Sequence, residues 1–310
     1  MERENWTSRL GFILAASGSA IGLGNIWRFP FITGTNGGAI FILIYLAAIL
    51  FIGYPILVSE MSLGRITAKN PIGAFKKMAP DTSWWLVGAL GVLSGFVILS
   101  YYSVVAGWGM SYIFKSLSFT AESNFPAIFS AHISSFAEPI LWHGIFMFLT
   151  IAVIGAGVVN GIQKLVKVLM PILFAIIILL IIRSVTLEGA AAGLSFYLKP
   201  DFSAITFQTF ADAISQAFFT LSLGMGAMIT YGSYLSKKES INESAAYVLV
   251  FDTAVALLAG FAIFPAVFAF GLDPASGPGL TFITLPAVFT QMPFGTFFSL
   301  IFFLLLTIAA

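Results

Sequence analysis

Eight apolar stretches run along the chain, near residues 10–34, 39–68, 86–116, 139–159, 163–185, 207–236, 242–271 and 295–310, each set off by a short polar break. Apolar runs near 20 residues have the length of a helix that crosses a bilayer. A transmembrane barrel would show short alternating segments instead, and the chain has none. The pattern predicts an all-α membrane protein. The last stretch, "FGTFFSLIFFLLLTIAA", is still rising in hydrophobicity at residue 310. A helix of about 16 residues falls short of the roughly 20 that a bilayer needs, so the chain is expected to be a fragment.

Composition agrees with the pattern. The chain is 59% hydrophobic and 9% charged, with 33 phenylalanines and a mean hydropathy of +1.01. Soluble domains carry about 25% charged residues. A net charge of +1 gives no reason to expect nucleic acid as a partner. The absence of cysteine excludes disulfides, a thiol nucleophile and thiolate metal ligation. "MERENWTSR" is not a secretory signal, because its charges are mixed and no small-residue cleavage site follows a short apolar core.

Loop charges give an orientation. With the N-terminus inside, Arg3, Arg9, Arg65, Lys69, Lys76, Lys77, Lys164, Lys167, Lys237 and Lys238 face the cytoplasm. Arg28, Lys115, Arg183 and Lys199 face outward, ten against four of the 14 basic residues. The positive-inside rule then expects a multi-pass protein of the cell (inner) membrane with a cytoplasmic N-terminus and residues 1–9 as its cytoplasmic segment. The outer loops 117–138 and 272–294 have the length and the Pro and Gly content for short helices or lids.

Two stretches break the apolar pattern. "SGSAIGLGNIWRFP", Ser17 to Pro30, places Gly18, Gly22 and Gly24 beside Asn25 and Arg28. A small-xxx-small packing face accounts for Gly18 and Gly22, but not for Gly24, Asn25, Arg28 and Pro30 directly after them. "FFTLSLGMGAMITYGSY", Phe218 to Tyr234, interrupts the sixth stretch with Thr220, Ser222, Gly224 and Gly226. Glycine costs about 1 kcal/mol against alanine inside a helix. Unwinding a helix in hydrocarbon frees backbone groups that must line a cavity or bind something. Freed carbonyls suit a hard cation, and freed N–H groups at a half-helix N-terminus suit a carboxylate. Two interrupted helices at corresponding places in two halves are the sequence mark of a secondary transporter's central site.

Isolated polar residues add candidates. Glu60, Asp212, Gln216 and Asp252 lie within apolar stretches, and Asp212, Gln216 and Thr220 share one helical face. A buried carboxylate needs a partner in the bundle, a place in a hydrated first turn, or a cation. His132 and His143 fall in or beside an outer loop, show no metal spacing, and are expected to be solvated. "GAGVVNG", Gly155 to Gly161, lies between membrane helices with no strand before it and is not a dinucleotide fingerprint. No P-loop, nucleophile–base pair or metal cluster stands out, so an enzyme is not expected.

"RLGFILAASGSAIGLGNIWRFPF", "NGGAIFILIY", "SEMSLGR", "FFTLSLGMGA" and "FITLPAVF" together resemble the neurotransmitter:sodium symporter family, in its bacterial amino-acid-transporting branch. The likeness runs from Trp6 to Ala310. The resemblance implies a LeuT-type inverted-repeat bundle of about twelve helices. About eight would be present here, with the first and sixth broken: residues 10–185 as the first five-helix repeat and 207–310 as part of the second. The implied activity is sodium-coupled import of an L-amino acid, hydrophobic or aromatic, by alternating access. The alternative is a channel or a non-transporting amino-acid sensor on the same scaffold.

The resemblance also assigns residues. Ala20, Asn25, Thr220 and Asp252 match a first sodium site that shares the substrate carboxylate. Gly18, Ile21 and Ala309 match carbonyls of a second, whose hydroxyl ligands would lie beyond residue 310. Ser19, Ala20, Leu23, Gly24, Ile98, Tyr102, Phe219, Thr220, Ser222 and Met225 match the substrate pocket. In it the N–H groups of Leu23 and Gly24 and the Tyr102 hydroxyl would hold the carboxylate, with Ile98, Phe219 and Met225 around the side chain. Arg28 and Phe219 match an outer gate, and Arg3 and Trp6 an inner latch. Asp252 brings a fixed charge where many relatives have asparagine. Tyr45, Gln216 and Ser222 match the neighbourhood of a chloride site, but Ala256 stands where chloride-dependent members carry a serine. Chloride is therefore expected to be dispensable.

Overall fold

The structure, a computed structural model, describes residues 9–236, 238–277 and 279–310. The first apolar stretch is not one helix. Helix α1 (Arg9–Ala20) stops, a wide turn of π geometry follows at Gly24–Arg28, and α2 (Phe29–Thr35) continues outward. The second stretch runs as α3 (Ala39–Ala48), a π turn at Ile49–Gly53, and α4 (Tyr54–Thr67). Then come α5 (Pro71–Met78), α6 (Trp85–Lys115), α7 (Phe125–Ser134), α8 (Ala137–Gly155) and α9 (Lys164–Val185). The later part holds α10 (Ala190–Leu198), α11 (Phe207–Thr220), α12 (Ala227–Gly232), α13 (Ile241–Ala269), α14 (Leu285–Thr290) and α15 (Gly295–Ala309).

Prolines explain three of the wide turns. Pro30, Pro55 and Pro286 each follow a π turn, at Gly24–Arg28, Ile49–Gly53 and Leu280–Thr284. A proline ring inside a helix clashes with the carbonyl four residues earlier and has no N–H to give it. Those carbonyls belong to Ile26, Phe51 and Phe282, each inside its wide turn. The extra residue makes room without ending the helix.

Two helices go beyond the eight expected stretches. In α5 the Asn70 side chain accepts from the Gly73 N–H, and Pro71 opens the first turn. The apolar run of α10 is too short to span. The outer loops carry α7 and α14. The break between the fourth and fifth stretches falls at residues 156–157, where Gly157 takes a φ of +88°.

Five helical spans are long and apolar enough to cross a membrane among the described residues: Ala39–Thr67, Trp85–Ser118, Ala137–Gly155, Asn160–Val185 and Ile241–Ala269. Two cores share α13. One joins α6, α9, α14 and α15 through Tyr112, Leu173, Ile263, Phe282 and Phe303. The other joins α1, α3, α4 and α11 through Ala16, Phe41, Tyr45, Met61 and Ala217. The outward sides of α6 and α8 are apolar, with Leu90, Phe96, Phe148 and Ile151 exposed. Such surfaces belong in lipid or against further protein rather than in water.

One expectation fails here. His132 is not solvated: it is 1% exposed, its Nδ1 lies 2.6 Å from a Glu138 carboxylate oxygen, and Lys115 reaches the same oxygen at 2.7 Å. Its ring meets Trp108 and Tyr112 edge-on. A loop sequence alone does not reveal that α7 folds back onto the aromatic end of α6. His143 is half-buried.

Burial lowers the His132 pKa, Glu138 pulls it up, and Lys115 lowers it further, with a net depression. The unfolded chain therefore takes up this proton first, near the ordinary histidine value of about 6.5. Above that value the group costs nothing; below it the folded state loses stability. The melting temperature in detergent should fall from pH 7 to pH 5, and His132→Phe should flatten that fall. An equally steep fall in the variant would refute the assignment.

Candidate functional site at the two helix breaks

The second break lies between α11 and α12. Ser222, Gly224 and Gly226 have φ values of +54°, +79° and +80°. Two glycines adopt that region readily, and the chain leaves the helix for six residues. The Glu60 carboxylate, from α4, accepts the Gly224 N–H at 2.7 Å and so satisfies one of the freed groups. In the first break, the Gly22 N–H donates to Asn25 Oδ1 at 2.8 Å, and the Leu23 N–H donates to the Tyr102 hydroxyl, also at 2.8 Å. The carbonyls of Gly18, Ala20 and Ile21 belong to the turn at which α1 ends.

Behind the breaks sits a buried oxygen cluster. Asn25 Nδ2 donates to Asp252 Oδ1 at 2.8 Å and to the Asp252 carbonyl at 2.9 Å, and lies 3.1 Å from Thr220 Oγ1. Thr220 Oγ1 is 3.0 Å from both Asp252 carboxylate oxygens, and its single proton serves one at a time. Asp252 is 0% exposed and forms no ion pair among the described residues. A carboxylate that deep is costly without a cation.

In front of the breaks lies a cavity of about 310 Å³. Ser19, Ala20 and Gly24 line it from the first break, and Phe219, Ser222 and Met225 from the second. Gly95, Ile98, Leu99 and Tyr102 line it from α6, spaced i, i+3, i+4 and i+7 on one face. Gly18, Ile21 and Ala309 reach its wall together. Among the residues matched to the substrate pocket, Leu23 and Thr220 do not line it. The Leu23 N–H is already taken by Tyr102, so Leu23 acts on the cavity only through that hydroxyl, which keeps its own proton to donate. Gly95, Leu99 and Ala227 were missed; helical spacing from Ile98 and Tyr102 points to the first two.

Arg28 does not line the cavity but packs over Phe219, which does. Its guanidinium carbon sits 5.0 Å from the centre of the Phe219 ring. It donates to Gln216 Oε1 at 2.5 Å and to Ser215 Oγ at 3.0 Å. Gln216 also donates to the Gly24 carbonyl at 2.8 Å. One turn outward, Asp212 accepts from Asn36 at 3.0 Å. The face of Asp212, Gln216 and Thr220 thus docks along the first helix, onto Asn36, then Arg28 and Gly24, then Asn25. Arg3 and Trp6 lie outside the described residues.

The chain matches the model of the Sodium:neurotransmitter symporter family over residues 3–125 and 129–310. It belongs to that family. It is 48% identical to YhdH of Bacillus subtilis, described as an uncharacterized sodium-dependent transporter, over 94% of this chain and 66% of that protein. It is 30% identical to the sodium- and chloride-dependent taurine transporter of Bos taurus, over 98% of this chain and 57% of that protein. It superposes on the crystal structure of MhsT in complex with L-phenylalanine with a TM-score of 0.93 and 48% identity, covering 99% of this chain and 71% of that one. The fold is therefore the LeuT-type bundle, in a multi-pass membrane protein. The chain spans between about half and 71% of the length of these relatives.

Proposed function

We propose that the chain belongs to a sodium-coupled symporter that imports an L-amino acid, hydrophobic or aromatic, across the inner membrane, with the N-terminus in the cytoplasm. The observation that carries this is adjacency. A buried oxygen cluster with no cationic side chain on it among the described residues and a cavity lined by a tyrosine hydroxyl share the same two helix breaks. A hard cation takes oxygen ligands. Asp252, Thr220, the Ala20 carbonyl and Asn25 would supply them at the first site; Gly18, Ile21 and Ala309 would contribute carbonyls to the second. For Asn25 to offer its oxygen to the ion its amide would have to turn over, releasing the Gly22 N–H that the oxygen now accepts.

The substrate carboxylate would meet the Tyr102 hydroxyl, the Gly24 N–H and the first sodium ion, with Ile98, Phe219 and Met225 around the side chain. That shared contact is the coupling: each ligand raises the other's affinity by the same factor. Substrate closes the outer gate of Arg28 and Phe219, and release inward follows as a shift among states. Each sodium ion moving inward gains about 2.3 kcal/mol per 100 mV. The Asp252 charge makes chloride dispensable. The likeness to MhsT with its bound L-phenylalanine supports the substrate class.

Binding of radiolabelled L-phenylalanine should require sodium over potassium and persist when gluconate replaces chloride. Proteoliposomes should accumulate it against its gradient. Equal binding in potassium would sink the coupling, loss without chloride would sink the role given to Asp252's charge, and binding without accumulation would favour a sensor. A conductance that substrate does not saturate would favour a channel.

A further inference from the structure

We propose that Gly95 sets the depth of the side-chain end of the cavity, so that the site takes large apolar amino acids, tryptophan included, and an added methyl there turns it toward short ones. This rests on the amino-acid reading above and adds to it the residue that measures side-chain length.

Tyr102 and Gly95 mark the two ends. They lie on one face of α6, seven residues apart, which at about 1.5 Å per residue separates them by roughly 10 Å along the helix. A substrate held by its carboxylate at the Tyr102 hydroxyl has only one direction along α6 left for its side chain. It passes Ile98 and Leu99 and ends at Gly95, all three of which line the same cavity. One turn further the cavity is shut. A Cβ on Gly91 would sit 2.8 Å from the Gly224 carbonyl oxygen, so helix and bent segment touch there, and the space beyond, lined by Gly91, Gly224 and Gly226, is a separate cavity. Gly95 is the last position before that floor, and it contributes no side chain.

Gly95 is also free to change. A Cβ there would meet Met225 Cβ at 3.7 Å and Met225 O at 3.9 Å, ordinary contact distances. Alanine therefore fits with nothing displaced, and its methyl enters the space between α6 and Met225. Gly91 is the opposite case, since its glycine is required by packing alone. The two glycines, four residues apart, have different reasons for being glycine.

The test is a binding panel of L-tryptophan, L-phenylalanine, L-valine and L-alanine on the purified full-length protein in sodium. Gly95→Ala should weaken tryptophan at least about tenfold and leave valine and alanine within about twofold, as one methylene in a pocket discriminates. Equal losses across the panel, or none, overturn the proposal while the amino-acid reading stands. No sodium-dependent binding of any of the four by the unsubstituted full-length protein overturns that reading, and this proposal with it. A second readout uses the absence of cysteine from these 310 residues. In Gly95→Cys the introduced thiol, measured against the unsubstituted protein, should react with a small methanethiosulfonate reagent, saturating tryptophan should block that reaction, and saturating alanine should not. Equal protection by both, or by neither, overturns the proposal.

Discussion

Replacing Asp252 by alanine should lower the apparent sodium affinity of amino-acid binding by at least about 100-fold, equivalent to some 2.7 kcal/mol. Three features make this the most sensitive position. The carboxylate is fully buried. It accepts from Asn25 and Thr220, so both breaks are oriented through it. It is the one formal charge in the oxygen cluster. Removing a buried acceptor costs about 1–3 kcal/mol for each donor left unmatched, and here Asn25 and Thr220 are both left. Asp252→Asn separates charge from shape. Its amide oxygen still accepts from Asn25, and its NH₂ can donate to Thr220 Oγ1 in place of the hydrogen bond that the carboxylate now accepts, so packing survives while the charge goes. It should therefore fall between the two, near a tenfold loss. Sodium titration of binding at fixed amino acid reads both, and a melting curve in potassium shows whether each variant is folded. Unchanged sodium dependence in both folded variants would reject Asp252 as a ligand.

Much of this site was legible because it breaks local rules. Glycines and an asparagine inside an apolar run violate what lipid demands, and both clusters mark real interruptions. The helical face of Asp212, Gln216 and Thr220 follows from spacing alone, and it docks as one strip on the first helix. The start of α5 was readable too, since Asn70 before Pro71 is an N-terminal signature; its eight residues escape a search for spans. The wide turns before Pro30, Pro55 and Pro286 are local in cause, yet a proline only says that a helix is disturbed, not how.

Other features depend on contacts far apart in sequence. Tyr102 and Leu23 meet across 79 residues. Nothing in "LSYYSVV" says that one tyrosine occupies the N–H assigned to the substrate. The burial of His132 needs α7 laid against α6, with Glu138 arriving from α8. These pairings are set by tertiary packing, which overrides the expectation that loop residues are solvated.

Gly22 is the sharpest case, and Gly22→Ala should lower amino-acid affinity about 100-fold or more. From sequence, Gly22 belongs to a small-xxx-small stripe in which alanine is nearly as good as glycine. In the structure a Cβ at this position would overlap the Tyr102 hydroxyl and lie 3.4 Å from the Ala309 carbonyl oxygen. Tyr102 cannot yield without giving up the Leu23 N–H, and that bond is what holds its hydroxyl at the cavity wall. The methyl therefore removes the carboxylate's handle and leaves a backbone N–H unpaired, each worth about 1–3 kcal/mol. A double-mutant cycle decides whether the hydroxyl is the point of collision. Tyr102→Phe loses the handle by itself and should bind weakly, but it also removes the overlapping atom. Gly22→Ala together with Tyr102→Phe should then bind no worse than Tyr102→Phe alone, a strong departure from additivity. If the two losses simply add, the glycine serves helix packing and not the tyrosine, and the first break loses its claim to be shaped around Tyr102.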